Sequence, residues 1–141
     1  MPQYAALIYG EDADWSDAEH ADQTAEYMEF GQNAEKVITG GAALQPTSTA
    51  TSIRVKGGKG GDVVTSDGPF AESKELIGGY WIWKVKSKEE ALAWAQKCPA
   101  QDGDTIELRQ IFDMADFGPE VVANEAGRAE EIGKQMEANK A

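Results

Sequence analysis

Apolar residues along the chain recur with two periods, and the periods predict where strands and helices fall. Gln3–Tyr9 (QYAALIY) is a compact apolar run closed by Gly10 and the acidic pair Glu11–Asp12, which predicts a buried strand. Ser16 with Glu19 three residues later has capping-box spacing, so a helix is predicted to open there. Tyr27, Gly31, Ala34 and Ile38 continue at helical spacing, and Gly40–Gly41 is the expected stop. A short strand is predicted near Ala42–Leu44, followed by a Ser/Thr-rich connector through Pro46. Thr51–Val55 alternates as a half-buried strand does, Lys56–Asp62 (KGGKGGD) is a glycine-rich turn, and Val63–Thr65 supplies the second arm of a hairpin. Gly78–Lys86 (GGYWIWKVK) alternates aromatic and aliphatic residues and is the clearest strand in the chain. Ser87 and Glu90 repeat the capping-box spacing, and Ala91, Trp94, Ala95 and Cys98 then form one helical stripe that Pro99 ends. Thr105–Phe112 closes the set as a strand with Ile106, Leu108 and Gln110 on one face.

The predicted order is strand, helix, strand with an inserted hairpin, strand, helix, strand. Two helices on one face of an antiparallel sheet suit that order, so the expected fold is α+β, a ferredoxin-like βαββαβ sandwich with an extra hairpin. Such a sheet has one face without helices. Trp81 and Trp83 nevertheless alternate with Tyr80 and Ile82, so both faces are apolar and a second copy of the chain is expected to cover the free one. After Phe112 the character changes: a Gly/Pro joint leads to an Ala/Glu/Lys-rich helix over Pro119–Lys140, with Val122, Ala126, Ala129, Ile132 and Met136 as a weak apolar stripe. The expected division is therefore 1–112 for the main domain and 113–141 for a helical extension.

Charge narrows the function classes. The chain has 13 basic and 25 acidic residues among 141, a net charge of −12. A surface this acidic repels polyanions, which argues against direct nucleic-acid binding and against docking on an anionic membrane. No apolar stretch approaches the ~20 residues of a membrane-spanning helix, and Met1–Trp15 lacks the basic segment of a signal peptide. Cys98 is the only cysteine, which excludes an internal disulfide and a multi-cysteine metal cluster and fits a cytoplasmic setting. The glycine-rich Lys56–Asp62 turn lacks the P-loop pattern and a following helix. No metal set and no cofactor motif stands out, because carboxylates without a histidine partner hold transition metals poorly.

One stretch is more specified than a surface loop requires. Thr65–Trp81 (TSDGPFAESKELIGGYW) joins an Asp67–Gly68–Pro69 turn to residues of both charges, a double glycine and two aromatics. With the Glu-Ala-Leu-Ala-Trp-Ala helix, YAALIYG at the start, GGAALQPTSTATSIRV in the middle and IELRQI at the end, it resembles the YCII-related family, in particular the DGPF subgroup named for the tetrapeptide Asp67-Gly68-Pro69-Phe70. The resemblance spans roughly residues 3–112. It implies the ferredoxin-like fold, dimerised through sheet faces into an α/β-barrel type assembly. It also implies a stress or regulatory setting, because DGPF members are often encoded beside sigma factors of the extracytoplasmic-function type. A His/Asp pair is proposed as the active site in other subgroups; His20, the only histidine here, lies in an acidic first turn and is not assigned that role.

Within the turn, Asp67 can accept hydrogen bonds from turn amides, Gly68 permits unusual dihedrals and Pro69 fixes the exit, while Phe70 is expected to plug the core. Two functions remain open. In one, the chain binds a small molecule in a cleft between sheet and helices through Asp67, Glu72, Lys74 and Tyr80, with no catalytic residue assigned. In the other, it is a non-catalytic dimeric accessory module of a sigma-factor system, and the same loop serves assembly.

Overall fold

A computed structural model describes residues 1–69 and 76–140; Phe70, Glu72 and Lys74 fall outside that range. The chain forms two compact units, Met1–Gln110 and Ile111–Ala141. In the first unit, strands β1 (Gln3–Gly10), β2 (Ile38–Ala43), β5 (Leu76–Lys84) and β6 (Thr105–Gln110) form a four-stranded sheet in the order β2-β5-β1-β6, while β3 (Thr51–Lys56) and β4 (Asp62–Asp67) form a separate two-stranded sheet. Every strand pairing is antiparallel. Helix α1 (Ala21–Asn33) connects β1 to β2, and α2 (Lys88–Lys97) connects β5 to β6. The result is an α+β architecture compatible with a ferredoxin-like sandwich carrying a hairpin insertion.

The register sorts the sheet's side chains into two faces. Tyr4 lies opposite Trp83 and Gln110, and Ala6 opposite Trp81 and Leu108, so these residues share one face. That face receives the helices: Tyr4, Ala6, Phe30, Ala34, Trp83, Val85 and Ala91 form the buried core, with Trp81, Trp94, Cys98, Ile106 and Leu108 packed against it. Phe30 is its centre. Its ring lies 5.9 Å from Trp81, 6.2 Å from Trp83 and 6.2 Å from Trp94, centroid to centroid, in tilted and edge-on arrangements suited to aromatic quadrupoles. The α2 stripe of Ala91, Trp94, Ala95 and Cys98 therefore faces the sheet as its spacing predicts. Ser87 caps that helix by accepting a hydrogen bond from the Glu90 amide at 3.2 Å.

The start and end of α1 differ from the sequence expectation. Ser16 is not the cap: its hydroxyl donates to Asp14, and Asp17 caps a short 3-10 turn over Ala18–His20 by accepting from the Glu19 amide at 3.1 Å. The helix ends at Asn33, and Ile38, Gly40 and Gly41 belong to β2. The glycines serve strand pairing. A Cβ at Gly41 would lie 2.8 Å from the Tyr80 carbonyl oxygen, and one at Gly79 would lie 3.0 Å from that of Ala42, so this edge closes only without side chains.

The hairpin pairs Ile53 with Thr65 and Val55 with Val63, as its alternation suggests. Gly68 follows β4 with φ +95°, a conformation that favours glycine. Its amide donates to the Ala50 carbonyl at 2.7 Å, and its own carbonyl accepts from the Ser52 hydroxyl at 2.6 Å. The amides after Pro69 that Asp67 is expected to hold lie outside the described residues, and Asp67 itself is exposed at the end of β4.

In the second unit, Asp113 and Asp116 form a reciprocal capping box around a 3-10 turn (Met114–Asp116) within the Gly/Pro joint, and Phe112 stacks on Phe117 at 5.1 Å. Helix α3 (Pro119–Asn139) follows with proline in its first turn. Ile132 and Met136 of its weak stripe are exposed; the side chains of Val122, Ala126 and Ala129 lie outside the described ones.

Replacing Phe30 with alanine is expected to cost about 3–5 kcal/mol in urea denaturation, whereas Met28→Ala, on the exposed side of the same helix, should stay within about 0.5 kcal/mol. Equal losses would show that the aromatic cluster is not the stabilising centre. Gly68→Ala should cost about 1 kcal/mol from its dihedral, since among the described residues no atom lies within 4 Å of an added methyl.

Candidate functional site

Within Met1–Gln110, both helices pack on the first face of the sheet, and no helix among the described residues of this unit packs on the second. Gln3, Ala5, Leu7 and Tyr9 of β1 point to it, paired with Lys84, Ile82, Tyr80 and Ile77 of β5. On the β6 side, Arg109 lies beside Ala5 and Glu107 beside Leu7. On the β2 side, Gly40 lies beside Ile82 and Ala42 beside Tyr80. The face is thus a central apolar and aromatic field, with small residues along one edge and an ion pair along the other. Glu107 accepts from Arg109 at 2.7 Å and from the Tyr9 hydroxyl at 3.4 Å. Leu7, Tyr9, Tyr80 and Ile82 are half-buried, and Ile77 is 40% exposed. Two bulges, at Ile8/Tyr9 against β5 and at Ile38/Gly40, break the register near both ends of this field.

A second cluster lies on the helix side. Tyr27 of α1 and Cys98 at the end of α2 are within hydrogen-bonding reach. Burial pushes the Cys98 thiol up to about 11, against the opposing effect of the Tyr27 hydroxyl, and Asp104 adds to the rise. Burial likewise raises Tyr27, with Cys98 adding to it. This thiol is neutral at physiological pH and a poor nucleophile. Trp15 covers the same end, edge-on to Tyr27 at 6.2 Å and 5.3 Å from the His20 ring. His20 Nε2 lies 3.3 Å from the Glu19 carboxylate. An open groove of about 250 Å³ between α1 and α2 is floored by Phe30 and Trp94, with Glu26 and Glu29 on one wall and Lys97 held 5.0 Å above the Trp94 ring. Among the described residues, no group of three or more His, Cys, Asp or Glu side chains could hold a metal ion.

Of the residues expected to bind a ligand, Asp67 ends β4, exposed, on the two-stranded sheet, and Tyr80 lies on the helix-free face of the four-stranded sheet. Glu72 and Lys74 lie outside the described residues. A cleft between sheet and helices does not include Tyr80, because the β5 alternation turns Trp81 and Trp83 toward the helices and Tyr80 away. Tyr9, Glu107 and Arg109 share Tyr80's face and were not singled out from sequence; the odd-numbered alternation of β1 was the available signal. Tyr27 and Cys98 left no local signal, since only the α1–α2 packing brings them together. Asp12 is a third such case: it accepts from both the hydroxyl and the amide of Thr47, which hold its carboxyl below the usual range and pin the connector before the hairpin.

This antiparallel sheet with two helices on one face and an inserted hairpin defines a small α+β domain. The chain belongs to the YCII-related domain family, whose sequence profile matches residues 2–115. It is also similar to an uncharacterised protein of Rhizobium meliloti (strain 1021), 29% identical over 98 residues, or 66% of this chain and 77% of that protein.

The raised thiol gives a pH prediction. A group whose proton is held more tightly in the folded state stabilises fully below its unfolded pKa, and that contribution is lost as pH rises through the folded value. Melting temperature is expected to fall between about pH 9 and pH 11, and Cys98→Ala should flatten that part of the curve. Parallel curves for the two proteins would refute the assignment. A thiol reagent at pH 7.5 should label the half-buried Cys98 more slowly in the folded protein than in the unfolded chain.

Proposed function

We propose that the chain is a homodimeric small-molecule-binding domain in which the helix-free sheet face is both the subunit interface and the wall of the ligand site. The observation that carries this is the field of Leu7, Tyr9, Ile77, Tyr80 and Ile82, large side chains left only partly covered by their own chain. A sheet apolar on both faces requires a second layer. A copy related by two-fold symmetry supplies one, in keeping with a dimeric barrel, at a sheet separation of roughly 10 Å. Edge chemistry supports a self-complementary contact, since small Gly40 and Ala42 leave room on one side and Glu107 and Arg109 offer both charges on the other.

The ligand reading rests on Tyr80 and the chain that leads to it. The segment after Asp67–Gly68–Pro69 leads along the chain to β5 and Tyr80, and we assign Asp67, Glu72 and Lys74 as the charged groups of the proposed site from their order in the sequence. An apolar wall with a few polar groups suits a small molecule that has an aromatic body and a charged head. The Asp67–Phe70 tetrapeptide supports placing the chain in the DGPF subgroup.

The full chain is expected to sediment as a dimer at micromolar concentration with an interface above about 1,000 Å². Tyr80→Arg should give a monomer with an unchanged circular-dichroism spectrum; a wild-type monomer would end this reading. In a thermal-shift screen with aromatic acids, a ligand should raise the melting temperature, and Glu72→Gln or Lys74→Met should abolish that rise without changing the unliganded melting point. A stable dimer that responds to no ligand would instead favour the non-catalytic accessory module.

A further inference from the structure

We infer that the β3–β4 hairpin is an arm covered by a second copy of this chain, extending the subunit contact beyond the four-stranded sheet; this rests on the dimer proposed above. The register gives the arm two unlike sides. Ile53, Val55, Val63 and Thr65 lie together on one, while Ser52, Ser66, Arg54, Val64, Lys56 and Asp62 lie on the other. The apolar side is open: Ile53 is 66% exposed, Val55 60% and Val63 58%. A two-stranded sheet is marginal in water unless another layer packs on it, and among the described residues no helix or strand packs extensively against this one. Three adjacent β-branched side chains on an uncovered strand pair also form a template for self-association.

Two observations select a second copy as the occupant. Within Thr51–Asp67 the bases Arg54, Lys56 and Lys59 outnumber the acids Asp62 and Asp67, whereas the whole chain carries −12. An arm with a basic excess is therefore attracted to another molecule of the same acidic protein. Position agrees with charge. The arm leaves the sheet at the end that carries Tyr9 and Ile77, where the Leu44 amide donates to the Gly78 carbonyl at 2.8 Å. Its root is fixed there by the hydrogen bonds of Thr47 to Asp12 and of Gly68 to Ala50. The arm thus starts at the margin of the field that the proposed partner covers.

Hydrogen exchange of the full chain, measured above and below the dimer dissociation constant, tests this directly. Amides of residues 52–66 are expected to slow as the dimer forms, together with those of β1 and β5. Val55→Asp should raise the dissociation constant at least about tenfold, and Val55→Thr, which keeps the β-branched shape and the strand, should raise it less. A dimer whose hairpin amides exchange at a concentration-independent rate, and whose affinity neither variant changes, overturns the arm and leaves the sheet-face interface standing. A chain that stays monomeric throughout overturns the interface first and the arm with it.

Discussion

The packing of Phe30 among Trp81, Trp83 and Trp94 is the contact on which the other features of this domain depend. It ties α1, the central strand β5 and α2 into one cluster whose rings meet at tilted and edge-on angles. These four side chains form the packed centre between helices and sheet, and Phe30 and Trp94 also floor the groove between α1 and α2. The same cluster fixes the phase of β5. Once Trp81 and Trp83 point to the helices, Tyr80 and Ile82 must point away, since neighbouring strand residues face opposite sides.

That phase gives the domain its second apolar surface. A strand that pairs on both edges and is apolar on both faces is built for burial on both, and the helices of its own unit cover one of them. The small residues of β2 contribute to the same outcome. Gly41 and Gly79 let the edge strand approach β5 closely, and the Gly40 and Ala42 positions leave the helix-free face low along that edge. The Glu107–Arg109 pair on the opposite edge gives the face polarity without interrupting its centre. Titration behaviour follows the same division. The thiol and phenol shifted by burial lie on the packed side, in a setting that lowers their reactivity.

Much of this was legible in the sequence because strand and helix periods are local. The β5 alternation, the Ser87 cap with its stripe, and the two hairpin arms each follow from neighbouring residues, and together they predict the element order. The helix α1 boundaries did not follow. Ser16 and Glu19 have capping-box spacing, but Asp14 and Asp17 compete for the same amides and hydroxyl and shift the helix start to Ala21. Gly40–Gly41 reads as a helix stop from local chemistry alone. Its use in a strand depends on how close β5 comes, which is a property of two segments far apart in the chain.

The sequence by itself determined the family, the order of elements and the two-faced character of the sheet, because these rest on periodicity and on contiguous motifs. Only the tertiary structure decided which face each aromatic residue occupies, that Tyr80 shares a surface with Tyr9, Glu107 and Arg109, and that Tyr27 meets Cys98. It also decided that the hairpin stands apart as its own sheet. The physical reason is common to all of these. Periodicity says that a side is apolar, but which partner buries it depends on strand register and helix packing, and both are set by non-local contacts such as those around Phe30.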